Sequence, residues 1–185
     1  EVPYRTPFIA VARANAEAIA AQAYARRSWA LAAQRAISLA ALRPGGLGAI
    51  VDELAKQLGT WVGLFDASGA LTHAHPVDAL TSEAAEALTD EVQTLLRRGA
   101  NTGSALHAAS GSFSLQTLGR TGRLRGALVI AATHLDQEER GLVTAVVALA
   151  GLALEQRQRL DRGYGALRRG VLQALLAGDL TLARR

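Results

Sequence analysis

Cysteine and methionine are both absent from this sequence, and aromatic residues make up only 4% of it. Without cysteine there is no disulfide framework, no thiol nucleophile, and no thiolate site for zinc or an iron–sulfur cluster. The scarcity of rings leaves core packing to Ala, Leu and Val, which let helices approach closely while each buries less surface than an aromatic would. The chain begins Glu1-Val2-Pro3 rather than with methionine, so the expectation is a segment of a longer protein. Lysine is nearly missing too, since Lys56 is the only one among 20 basic residues. That skew toward arginine resembles a high-GC coding sequence more than a selected phosphate-binding surface. The arginines are also scattered beside Glu and Asp along helices, not gathered in one stripe. The net charge of +4 therefore does not mark a nucleic-acid interface.

Long apolar runs are lacking as well. The Ala-rich N-terminal stretch is interrupted by Arg13, Glu17, Arg26, Arg27 and Arg35, so it is expected to be neither a signal h-region nor a membrane span. The most apolar helical run, 141–154, is about 14 residues, short of the ~20 needed to cross a bilayer. The expected setting is the cytoplasm, with no membrane partner.

Of the 185 residues present, half are hydrophobic and 19% charged, a globular composition suited to one domain with helical extensions. Residues 7–42 are almost free of breakers and consist largely of Ala, with Arg, Glu and Gln among the rest, and predict one long helix. Phe8, Ala12, Ala16, Ile19 and Ala23 recur at three- and four-residue spacing, flanked by Val11. Beyond Arg26-Arg27 the spacing resumes through Trp29, Ala33, Ala36 and Leu39 on a second face. Arg43-Pro44-Gly45-Gly46 ends this helix, and 47–58 predicts a shorter one closing at Gly59.

Residues 61–65 and 70–75 read as a hairpin around Asp66-Ala67-Ser68-Gly69. A helix capped at Thr81 or Ser82 runs to Gly99. Weak strands follow at 104–109 and 112–118, then the strongest at 124–132 after the turn Gly119-Arg120-Thr121-Gly122. Asp136 and Glu139 have capping-box spacing for a last long helix continuing past Gly163 and Gly165 to Leu176. The fold class is α+β, with a mainly antiparallel five-stranded sheet flanked by helices.

That succession resembles the GAF domain, a small-molecule-sensing and dimerising module; the helix before the first strand and the single helix after the second separate it from a PAS domain. The ends extend the resemblance. Glu1-Val2-Pro3-Tyr4 with Pro7-Phe8-Ile9 looks like the close of the N-terminal domain of the PucR (purine catabolism regulator) family of bacterial transcription regulators. The segment from Leu167 through Leu175-Leu176-Ala177-Gly178 resembles the start of that family's next domain. The resemblance implies a linker and dimerisation helix over 1–43, a GAF-like sensor domain over 44–160, and a connecting helix over 161–185. It also implies control of purine or nitrogen metabolism. DNA would be bound only by domains absent from this chain, because no helix-turn-helix is present.

On that resemblance the candidate ligand-binding residues are Phe65, His73, His107 and Phe113, with Trp61 beside them; ordinary core packing accounts for the same aromatics. Candidate dimerisation residues are Phe8, Val11, Ala12, Ile19, Ala23, Trp29, Ala36 and Leu39, with Leu149 and Leu160 of the last helix. The implied partners are a second copy of the chain and a small-molecule effector; the alternative is a ligand-free structural module that only dimerises.

No catalytic residue is expected. Ser110-Gly111-Ser112 lacks the spacing of a nucleophile elbow, and the Gly119–Gly122 turn lacks a phosphate-loop ending. His73 and His75, two apart on a strand, would project from one face, but no third ligand stands close in sequence, so neither a metal nor a cofactor is expected.

Overall fold

The computed structural model describes residues 8–77, 79–99, 103–108, 111–132 and 134–176. The elements are α1 (Phe8–Ala41), α2 (Gly46–Leu58), β1 (Val62–Asp66), β2 (Leu71–His75), α3 (Ser82–Arg98), β3 (Gly103–Ala108), β4 (Gly111–Arg120), β5 (Arg123–Ile130) and α4 (Gln137–Leu176). The strands form a five-stranded sheet in the order β2-β1-β5-β4-β3, antiparallel at every pairing. The expected α+β class and antiparallel sheet are observed.

Glycine sets several boundaries. Gly45, Gly59 and Gly99 all have positive φ, which a side chain would disfavour, and they end or begin helices where the sequence places its breaks. Thr81 caps α3 by accepting the Ala84 N–H.

The sheet is covered on both faces. Val62, Leu64, Leu118, Leu128 and Ile130 face a core completed by α1, α2 and α4, including Ala33, Ile37, Val51, Leu54, Val146 and Ala150. Phe65, Phe113, Leu115, Ala127 and Val129 face the other way and meet Leu88, Val92 and Leu95 of α3. This alternation follows from the two-residue period of a strand.

The buried stripe of α1 runs through Ala33, Ile37 and Ala40, with Trp29 partly buried against it. The face drawn through Leu39 from sequence spacing lies beside that stripe, and Leu39 itself is exposed. Ala33, Ile37 and Ala40 keep three- and four-residue spacing, so both stripes satisfy helical periodicity; only the position of the sheet distinguishes them.

One polar cluster fixes where α1 meets α4. Asp136 accepts the Glu139 N–H at 2.8 Å, and Glu139 accepts the Asp136 N–H at 3.0 Å, completing the capping box. Arg26 of α1 donates Nε to Asp136 at 2.7 Å and Nη2 to Glu139 at 2.7 Å. Its guanidinium also lies 4.2 Å from the Trp29 ring centroid. The Glu139 N–H and then the Arg26 bond hold the Asp136 carboxyl below the usual range, and the two carboxylates raise the Arg26 pKa.

A depressed folded-state pKa means that Asp136 contributes stability above the ordinary carboxylate value of about 4, lost as pH falls through the folded value. Asp136→Ala should cost about 0.5–2 kcal/mol near pH 7, the usual range for a lost N-cap. In urea titrations the gap between parent and variant should narrow below about pH 4. A gap independent of pH would show that the carboxylate charge contributes nothing.

Candidate functional site

Of the five candidate ligand-binding residues, the four whose side chains are described, Trp61, Phe65, His73 and Phe113, lie on two faces of the sheet. Trp61 and Phe113 meet edge to face, with centroids 6.3 Å apart and planes at 88°. Both are buried, and Phe65 lies with them in the core beneath α3. Gly63 makes this possible, since a Cβ there would stand 2.3 Å from the Trp61 ring. Outside this core, Trp61 and Phe113 border a cleft of about 680 Å³ together with Lys56, Thr60, His75 and Ser112. Trp61, Phe65 and Phe113 are thus placed mainly as packing residues, with a cleft at the margin of two of them.

His73 lies on the opposite face of the sheet. It pairs with Leu64, His75 pairs with Val62, and both imidazoles turn toward α2. There His73 Nε2 is 2.8 Å and His75 Nδ1 3.5 Å from the same Asp52 oxygen. Gly48 gives the His73 ring its room, because a Cβ would lie 3.1 Å from Cε1. Asp52 was not singled out by its sequence. It lies 21 residues from His73 on a different element, and an acidic residue on a helix ordinarily reads as solvent-facing. His107 lies on β3 opposite Ser112, and its side chain is outside the described residues. Among the described residues no group of three His, Cys, Asp or Glu side chains is arranged to hold a metal ion.

A second groove, about 1070 Å³, runs between the start of α2, the β1–β2 hairpin and α4, bordered by Asp52, His73, Leu149, Leu152 and Arg157. Asp66 stands at its edge and accepts from the Ser68 hydroxyl at 2.6 Å and the Ser68 N–H at 2.8 Å. The first of these bonds leads the causes that hold its carboxyl below the usual range.

The candidate dimerisation residues whose side chains are described fall into two groups. Within α1, residues 10–25 are exposed apart from half-buried Val11, so Ala12, Ile19 and Ala23 lie on about 24 Å of helix left uncovered among the described residues. Leu39 and Leu149 are exposed as well, whereas Trp29 and Ala36 are partly covered within the chain. The side chains of Phe8 and Leu160 are outside the described residues. Tyr24, Leu31, Leu42, Leu152, Tyr164, Leu167 and Leu172 are also exposed, outside the stripes that sequence spacing picks out. Among the described residues no helix is long and apolar enough to cross a membrane.

No family model and no curated protein matches the chain. Among solved structures, the chain is similar to the crystal structure of the E. coli DhaR(N)–DhaL complex, at 18% identity and a TM-score of 0.36. The similarity covers 95% of this chain and 60% of that one, so the chain spans about 60% of its length.

Replacing Asp52 by Ala removes the acceptor shared by His73 and His75. Both histidines are more than a third exposed or close to it, so the expected cost is at most about 1 kcal/mol. The imidazole N–H signal of His73 in nitrogen-edited NMR should disappear into solvent exchange. A signal unchanged in the variant would show that Asp52 does not hold the ring.

Proposed function

We propose that this chain is a regulatory segment of a bacterial transcription regulator of the PucR type, with a GAF-like domain that senses a small molecule and dimerises through its terminal helices. It acts in the cytoplasm and carries out no catalysis. The observation carrying this reading is the apolar surface left uncovered on α1 and α4. Ile19 is 69% exposed, Leu31 70% and Leu167 68%, on helices of 34 and 40 residues that outrun the sheet. Side chains of this kind along an isolated helix call for a partner helix, and a two-fold pairing of identical chains supplies one. The succession of two helices, two strands, a helix, three strands and a long helix supports the GAF-like part of the reading. A connection to purine or nitrogen metabolism rests on the resemblance alone.

Dimerisation without a ligand is the second reading. The burial of Phe65 and Phe113 against Leu88 and Val92 of α3 favours it, because these candidate pocket walls are taken up by the core.

Two measurements test the proposal. Light scattering at micromolar protein should give twice the chain mass, and Leu31→Glu with Leu39→Glu should return it to the monomer; an unchanged mass in the double variant rules out pairing through this part of α1. Thermal unfolding against purines, ureides and related nitrogen metabolites should reveal the effector. A ligand at about a hundred times its dissociation constant adds about 2.7 kcal/mol, which for a chain of this size raises the midpoint by roughly 5–10 °C. No shift from any compound would favour the ligand-free module.

A further inference from the structure

The face of the sheet beneath α1, α2 and α4 changes character halfway across. Under α1, α2 and α4 it presents Val62, Leu64, Leu118, Leu128 and Ile130, all buried. Continuing outward along the same face, Ser114 pairs with Ile130 and Gln116 with Leu128, and beyond them Ala105 of β3 pairs with Ser114. Apolar residues thus give way to a hydroxyl, an amide and a methyl group on a floor that still lies beneath α4. A cleft of about 420 Å³ opens there. Ser114 and Gln116 floor it, Val143, Thr144 and Val147 of α4 wall it, and Arg140 and His134 stand at its rim.

The charge of this cleft is one-sided. Among the described residues that line it there is a guanidinium and an imidazole but no carboxylate. Two neighbouring acids, Asp136 and Glu139, are already paired with Arg26 and committed to the capping box. Arg140 uses Nε on the Asp136 carbonyl at 3.2 Å, and among the described residues its terminal nitrogens have no acceptor. Such a fork suits a planar carboxylate, to which it can donate two parallel bonds. Hydroxyl and amide groups below can orient the polar remainder, while Val143 and Val147 cover a short apolar body. The volume falls in the ordinary range for small-molecule sites, and apolar walls with a few convergent polar groups are their usual lining.

We infer that this cleft binds a small organic carboxylate, with Arg140 as its anion partner and Ser114 and Gln116 as its floor. The site is distinct from the aromatic set beneath α3. It gives the sensing half of the proposed function a ligand class, yet it rests on the cleft alone, and the mass measurement above is independent of it. Because α4 forms one wall and runs on beyond the domain, occupancy bears directly on the helix that leaves the sheet.

The test uses the full chain with succinate as the probe and inorganic phosphate as the comparison, at matched ionic strength, followed by backbone NMR titration. Succinate at millimolar concentration should move the signals of Ser114, Gln116 and Thr144 along a saturable curve. Arg140→Gln should weaken binding by about 10-fold or more, the scale of one charge-assisted bond. Ser114→Leu, which fills the floor, should weaken it as well, while Arg98→Gln on α3 should leave it unchanged. Three results would overturn the assignment: no saturable shifts with succinate, equal losses in Arg140→Gln and Arg98→Gln, or phosphate binding as tightly as succinate. The unliganded NMR spectrum of each variant separates a lost site from a lost fold.

Discussion

Burial of β5 on both faces is the constraint on which the rest of the structure depends. Ala127, Leu128, Val129 and Ile130 are all fully buried, and the strand pairs with β1 on one side and β4 on the other. A strand in that position needs cover above and below, since each buried apolar side chain stabilises the fold by roughly 1.5–3 kcal/mol only if water is excluded from it. The α3 helix supplies one cover, and α1, α2 and α4 together supply the other. The terminal helices are therefore structural parts of the domain over one stretch and free of it over another.

That division shapes the functional reading. Where α1 crosses the sheet its stripe is consumed by the core, and Arg26 ties it to the first turn of α4. Before that crossing, residues 12–25 of α1 are exposed. In the proposed regulator, a helix anchored at one part and exposed at another would carry a shift at the anchored part to the exposed part. The same holds for α4, whose buried portion walls the cleft above Ser114 and Gln116.

The histidine pair shows how far a local pattern reaches. Two histidines at two-residue spacing on a strand must share a face, and they do. Their partner had to come from another element, and Asp52 arrives there only because α2 packs over β1 and β2. The aromatic set shows the converse. The family resemblance makes Trp61, Phe65 and Phe113 candidate pocket walls, and packing places them chiefly in the core under α3. Aromatic side chains on strands carry the same signal in either role, so residue type could not separate the two.

The sequence by itself determined the order of elements, nearly all their ends, and the α+β class. Those features follow from signals within a few residues: glycines at positive φ, a Thr cap, a capping box, and a change of apolar period between strand and helix. Only the tertiary structure decided which of two equally periodic stripes on α1 is buried, and that Asp52 meets two histidines. It also brought Ser114, Gln116, His134 and Arg140 around one cleft. The reason is that helical spacing fixes which residues share a face but not which face meets the sheet. Residues of β4 and α4 become neighbours only when the chain has closed over β5.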